Sequence, residues 1–167
     1  MRAFGEGTRR GRRGGARSVW GAGAVLGRVH GWLADLDDAF AVVRDGVHDT
    51  DHHISRLSEA AAEHTVDAVE PLARDILEAA ADLPALPGTP DRVLHGDPKL
   101  DNVRFDDSGR RALCLVDLDT LRRGPLAHDL GDALRSWCNG SGEDVPVAQL
   151  ELSLLEAALR GYADGAG

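Results

Sequence analysis

Lysine is almost missing from this chain of 167 residues: of its 19 basic side chains, Lys99 alone is lysine and the others are arginine. A single ammonium among arginines marks a position that wants a compact cation. Long apolar runs are missing too. No stretch reaches the roughly 18 residues that suggest a membrane span, and the run from Trp20 to Leu26 is too glycine-rich for a signal segment. No membrane role is therefore expected. The two cysteines, Cys114 and Cys138, form neither a disulfide framework nor a CxxC metal knuckle. That excludes a disulfide-stapled scaffold and fits a reducing, cytoplasmic location. No internal repeat appears at the periods that mark solenoids.

Clustered positive charge is absent from most of the chain. Residues 1–30 hold seven arginines and one glutamate, so an overall charge of −9 leaves about −15 on the remainder. Phosphate backbones are held by clustered Lys and Arg, so an acidic body excludes a nucleic-acid groove as its main business. The 43% apolar content and the length predict one compact unit with one core.

Residues 1–20 are mostly Gly and Arg without hydrophobic period, which predicts a disordered tail ahead of a domain spanning 21–167. From Val25 a helical stripe follows: Val25, Val29, Trp32, Leu33 and Leu36. Asp51 reads as the N-cap of a longer helix with Ile54, Leu57 and Ala61 inward, continuing through Val66, Val69, Leu72 and Ile76. Pro71 either kinks that helix or opens a second one. After Pro84 to Pro90 the period changes, and short strands are expected at Arg92–His95, Val103–Phe105 and Arg111–Val116, with a turn at Asp106 to Gly109. Asp129 then reads as the N-cap of a helix to Cys138, and a last helix runs from about Val147 to Tyr162. The fold class is α+β, mostly helical, with a small β-hairpin entered by the loop His95 to Asn102.

That loop reads His-Gly-Asp-Pro-Lys-Leu-Asp-Asn, and Asp117-Leu118-Asp119 follows the third expected strand. Asp97 and Asn102 can face one cavity while Pro98 restrains the backbone between them. Magnesium is usually held by one or two protein oxygens plus phosphate and water, and Asn102 with Asp117 supplies such a pair. Lys99 supplies the cation that transferring phosphoryl oxygens require. Asp97 remains to orient a substrate hydroxyl and take its proton. Asp119 serves equally well as a second metal ligand or as a cap.

The spacing of Asp97, Lys99 and Asn102 resembles the aminoglycoside phosphotransferase and choline kinase family, when joined to Leu115 to Thr120 and to Gly124 to Asp132. Within that family the pattern is most similar to sugar kinases of the N-acetylhexosamine 1-kinase type. The resemblance implies a protein-kinase-like fold with ATP as phosphoryl donor, Mg²⁺ as cofactor and a small-molecule hydroxyl as acceptor. It implies that Asp97 is the catalytic base, that Asn102 and Asp117 hold Mg²⁺, and that Asp129 braces the loop. Lys99 resembles the phosphate-contacting lysine of protein kinase catalytic loops, and His95 implies a loop-positioning role.

The resemblance covers roughly residues 25–163, all within the C-terminal lobe of that fold. The N-terminal lobe, with its phosphate-covering loop and strand lysine, is not found upstream: Gly21-Ala22-Gly23 meets Leu26 where a third glycine would fall, and no second lysine exists. The expectation is a partial kinase-like lobe with weak or no turnover alone. Alternatives are a noncatalytic remnant binding metal, nucleotide or a partner protein, and a metal-dependent phosphohydrolase in which Asp97 acts on water. His48, His52 and His53 count like a zinc cluster, but an N-capped helix start accounts for them better. Asp106 to Gly109 lacks the distal glutamate of a calcium loop and reads as a hairpin turn. Arg135 and Trp137 read as a surface arginine and a core aromatic. Neither the acceptor's identity nor the oligomeric state is written in the sequence.

Overall fold

The computed structural model describes residues 15–37, 40, 49–64, 66–84, 88, 91–141 and 147–167. They form five α-helices and four short strands: α1 (Ala16–Trp32), α2 (Thr50–Glu63), α3 (Glu70–Ala81), β1 (Asp91–Leu94), β2 (Val103–Phe105), β3 (Ala112–Leu115), β4 (Arg122–Pro125), α4 (Leu126–Trp137) and α5 (Leu152–Ala166). The chain divides into two units, one of residues 1–40 with 90–167, the other of residues 41–89.

The first unit holds the core. Val19, Ala22, Val25 and Leu26 of α1 pack with Val103, Ala112 and Leu115 of the hairpin, Ala133 and Trp137 of α4, and Leu154 and Ala158 of α5. α1 contains four glycines, each costing a helix about 0.5–1 kcal/mol relative to alanine. Its formation therefore depends on what it packs against. A Cβ at Gly23 would stand 2.3 Å from the Ala158 carbonyl oxygen, and one at Gly27 would stand 2.4 Å from that of Tyr162. From the other side, Gly161 and Gly165 would meet the carbonyls of Trp20 and Ala24 at 2.0 and 2.2 Å. Two pairs of glycines, each spaced four apart, thus let α1 and α5 touch backbone to backbone.

This seam corrects two expectations. Ala16–Trp20 belong to the helix rather than to a tail, and Val19 is fully buried; residues 1–14 lie outside the described residues. The buried face is not the expected stripe either, because nearly every residue from Gly21 to Gly27 is covered while Trp32 is 72% exposed beyond the seam.

β2 and β3 pair antiparallel as expected, with Val103 opposite Leu115 and Phe105 opposite Ala112. A register shift between Arg104 and Phe105 leaves Leu113 and Cys114 exposed in succession between buried Ala112 and Leu115. The turn is closed by Asp106, whose Oδ1 accepts from Ser108 Oγ and from the N–H groups of Arg110 and Arg111. Gly109 takes a φ of 68° there. β1 runs from Asp91, one residue before the expected start, and pairs with β4, which no pattern announced: Arg-Arg-Gly-Pro lacks the β-branched and aromatic residues that mark strands.

α4 begins at Leu126, directly after Pro125. Asp129 is therefore inside its first turn and not its N-cap. α5 starts at Leu152, later than expected, because residues 147–151 run extended beside the end of α4: Leu150 bridges Asn139, and Glu151 N–H donates to the Cys138 carbonyl.

The second unit is built differently. α2 is capped by Asp49, whose carboxylate accepts from His52 N–H at 2.9 Å, while Asp51, the expected cap, sits within the helix. Pro71 opens α3 rather than kinking one long helix. α2 and α3 pack on each other, and Ala73 is the one described residue of these two helices that is fully buried. Leu72 and Ile76, expected inward, are 60% and 41% exposed, since Ala73, Leu77 and Ala80 form the covered face.

Candidate active site

The loop from His95 to Asn102 links β1 to β2, and side chains fasten much of its polar backbone. Asp129 receives His95 N–H on Oδ2 at 2.6 Å and Gly96 N–H on Oδ1 at 2.9 Å. Thr120 Oγ1 donates to the His95 carbonyl at 2.7 Å, and Trp137 Nε1 donates to the Pro98 carbonyl at 2.8 Å. Asn102 Nδ2 donates to the Asp97 carbonyl at 2.8 Å. Gly96 has φ 84°, and a Cβ there would lie 2.3 Å from the Thr120 carbonyl oxygen, so only glycine fits this bend.

His95 is 1% exposed and locked by both ring nitrogens. Its Nε2 is 3.0 Å from the Val116 carbonyl, which can only accept, so Nε2 carries the proton. Nδ1 is then an acceptor, and it takes Asp97 N–H at 3.3 Å. The histidine thus ties the loop to the end of β3 and sets the backbone of Asp97.

Behind the loop runs a buried polar chain: Asp129 braces the loop as the resemblance implied, while sequence reasoning missed its partners His30 and Tyr162. His30 Nε2 is 2.9 Å from Asp129 Oδ2, and His30 Nδ1 is 3.0 Å from Tyr162 Oη. α5, α1, α4 and the loop are joined in that order. Burial pushes the Asp129 carboxyl upward, but hydrogen bonds from His30, Gly96 and His95 outweigh it and hold the group below the ordinary carboxylate range. His30 had one readable signal: it falls on the stripe Val19, Ala22, Leu26, where a polar side chain must find a partner.

The expected site residues come together at the loop. Asp97 Oδ2 makes an ion pair with Lys99 Nζ and receives Asn102 Nδ2 at 3.2 Å. This leaves Asp97 Oδ1 without a hydrogen-bond partner among the described residues. The Lys99 ammonium is held above its usual range, first by the hydrogen bond to Asp97, against burial, then by the charges of Asp97, Asp117 and Asp101. Lys99 therefore stays cationic while 40% exposed, able to turn toward an incoming phosphoryl group.

Asp117 stands at φ 68°, ψ 60°, a left-handed backbone that costs a non-glycine residue of order 1–3 kcal/mol. A hydrogen bond to Asp119 and that residue's charge raise the Asp117 carboxyl above its ordinary value; burial and Asp97 add to this, and Lys99 opposes it. Asp117 and Asp119 lie close enough to feel each other's charge, and with Asn102 Oδ1 they make an all-oxygen donor set of the kind magnesium takes. Asn102 commits its amide nitrogen to Asp97, which leaves Oδ1 as the atom a metal would take. Among the described residues no three His, Cys, Asp or Glu side chains converge, in keeping with a cation that draws its other ligands from phosphate and water.

The remaining candidates separate from this site. His52 and His53 stack edge to face at 5.6 Å on the exposed start of α2, and His48 lies outside the described residues. Trp137 is buried as a core aromatic and also fastens the loop. Arg135 is 62% exposed and bonds Asp132 at 2.9 Å. No described helix is long and apolar enough to cross a membrane.

A braced loop presents an aspartate, an ammonium and an amide, and the carboxylates of Asp117 and Asp119 stand close to each other. The chain belongs to the phosphotransferase enzyme family, whose model matches residues 10–165. Family membership implies a kinase-type enzyme.

Proposed function

We propose that this chain carries the catalytic loop of an ATP-dependent kinase that moves the γ-phosphoryl group to a hydroxyl of a small molecule such as a sugar, an aminoglycoside or an amino alcohol. The observation that carries this reading is Asp97 held between Lys99 and Asn102 with Oδ1 left open. In-line transfer needs positioning and charge stabilisation more than covalent chemistry. Asp97 orients the acceptor hydroxyl and takes its proton late, as a loose transition state permits. Lys99 meets the charge developing on the transferring oxygens. Asn102 and Asp117, with Asp119 as a further ligand, would hold Mg²⁺, which when bound neutralises the nucleotide phosphates. Asp129, His30 and His95 keep the loop in place.

The test is ADP formation from Mg²⁺ and ATP in the presence of a panel of hydroxylated metabolites, with calorimetry of nucleotide binding alongside. Asp97→Asn is expected to remove turnover while nucleotide still binds, and Asp117→Ala to abolish the Mg²⁺-dependent part of that binding. ADP formation indifferent to Asp97, or wild-type affinity in Asp117→Ala, would overturn the respective assignment.

A further inference from the structure

The segment that carries Asp117 and Asp119 is fastened to the reacting loop at both of its ends. On entry, Val116 donates its N–H to the Asn102 carbonyl at 2.9 Å, and its own carbonyl receives His95 Nε2 at 3.0 Å. On exit, Thr120 Oγ1 donates to the His95 carbonyl at 2.7 Å, and the Thr120 carbonyl presses on Gly96, where a Cβ would stand 2.3 Å from its oxygen. The strand pairing accounts for that second contact. Leu94 faces Arg122 in the β1–β4 pair, so the antiparallel register carried on by two residues sets Gly96 opposite Thr120. One short turn thus holds His95 twice, by its ring and by its carbonyl.

Between these fastenings the turn is open. Asp117, Leu118 and Asp119 are exposed, whereas Val116 and Thr120 are half-buried and His95 and Gly96 are buried. Asp117 keeps its left-handed backbone directly before the 3₁₀ turn Leu118–Thr120, and such a conformation persists only where its surroundings dictate it. Here the two fastened ends dictate it. A shift of the Asp117 carboxylate is therefore passed to His95 and Gly96, and a released Thr120 lets the Asp117 backbone relax.

We propose that Thr120 is a positioning residue that couples occupation of the Asp117–Asp119 turn by a divalent cation to the placement of Asp97. The inference rests on the metal assignment of the proposed function and deepens it: filling the turn and aiming the loop are one change of the chain rather than two. Such coupling is reciprocal. If the occupied turn steadies His95 and Gly96, then deleting the Thr120 hydroxyl must weaken the hold of the turn on the cation. Asn102 offers a second path to Asp97, through its amide on the Asp97 carbonyl. The N–H groups of His95 and Gly96 bond Asp129 instead, so they report the path through Thr120.

The test titrates the full chain with Mg²⁺ alone, without nucleotide and at constant ionic strength, and follows backbone amides by NMR. In the wild type, His95 and Gly96 are expected to shift with the same midpoint as Leu118 and Asp119. Thr120→Val keeps the shape and deletes the hydroxyl; it is expected to weaken Mg²⁺ binding about fivefold or more and to uncouple His95 and Gly96 from it. Thr120→Ser keeps the donor and is expected to restore both. A purely structural threonine would lower the melting temperature in Thr120→Val and leave the Mg²⁺ affinity and the shared midpoint unchanged, a result that overturns the proposal. So does a wild type whose turn saturates while His95 and Gly96 stay still, a readout that serves if Thr120→Val does not fold. Turn amides indifferent to Mg²⁺ would sink the metal assignment and the coupling together, and leave Asp97 to be judged by ADP formation. A coupled response to Mg²⁺, with ADP formation indifferent to Asp97, would keep the coupling and sink the kinase reading instead.

Discussion

The seam between α1 and α5 and the loop from His95 to Asn102 are both held tightly, by opposite means. At the seam, side chains are removed: glycine meets carbonyl oxygen, and the stabilisation is contact between two backbones, bordered by Trp20 Nε1 donating to Asp164 Oδ2 at 3.1 Å and by the His30–Tyr162 pair. In the loop, side chains are added: Asp129, His95, Thr120, Asn102 and Trp137 each fasten a backbone group that no regular structure would engage. Close packing tolerates no extra atom, and the polar loop tolerates no lost partner. The chain Tyr162, His30, Asp129 connects the two, so the rigid seam locates the polar loop.

Substitutions can pull these two regions apart. The largest expected effect is on chemistry alone: Asp97→Asn should lower turnover by about 10²- to 10⁴-fold, the range for loss of a positioned base, with little change in melting temperature. Steady-state kinetics beside a thermal melt would show whether the two readouts separate. Asp129→Asn should next cost about 3–5 kcal/mol in urea unfolding, because the amide nitrogen would face either Gly96 N–H, or His95 N–H together with His30. Its pH dependence has a definite sign. A carboxyl held below its unfolded value stabilises the fold above the unfolded carboxylate range, near about pH 3.9, and loses that contribution as the pH falls toward its folded value. The stability gap between wild type and Asp129→Asn should therefore narrow on acidification from neutral pH to below 4; a gap that widens would contradict the assignment.

Seam and loop differ again in the smaller effects. Gly161→Ala should cost about 1–3 kcal/mol, since its Cβ would meet the Trp20 carbonyl oxygen at 2.0 Å and the helices must part. Tyr162→Phe leaves the seam's shape intact and removes one hydroxyl from His30, so about 1 kcal/mol is expected. Its amide exchange should quicken around His95 and Gly96 more than along α1, and uniform quickening would deny the connection. Gly131→Ala is the control: nothing lies within 4 Å of its Cβ on the exposed face of α4, and a gain of about 0.4–1 kcal/mol follows from helix propensity and the stiffer unfolded chain.

Much of the loop was legible in the sequence because its chemistry is local. Asp97, Lys99 and Asn102 sit within six residues of one another, and Pro98 between them limits the backbone, so their meeting needed little long-range information. The hairpin β2–β3 was readable for the same reason, with Asp106 to Gly109 marking its turn. β4 was not, since Arg122 to Pro125 has no strand propensity and is extended by its pairing with β1. Asp129 was read as a cap because an aspartate near a helix start usually serves its own helix; here the loop's N–H groups, 33 and 34 residues away in sequence, claim the carboxylate. Gly21 and Gly23 stood where a broken phosphate loop was sought, and Gly23 proved to be packing surface against the Ala158 carbonyl of α5 at the far end of the chain.

By itself the sequence determined the spacing of Asp97, Lys99 and Asn102, the acidic body and the family to which the chain belongs, since each is a property of neighbours along the chain. Tertiary structure decided which carboxylates act together and which oxygen of each is left open. The neighbouring Asp119 raises the Asp117 carboxyl, whose backbone bends left-handed, Asp129 is buried beneath the loop, and Asp132 keeps an oxygen without a partner. The physical reason is that a carboxylate's role is set by the charges, donors and burial around it, and those come from α1, α4 and α5, whose approach only the folded backbone can arrange.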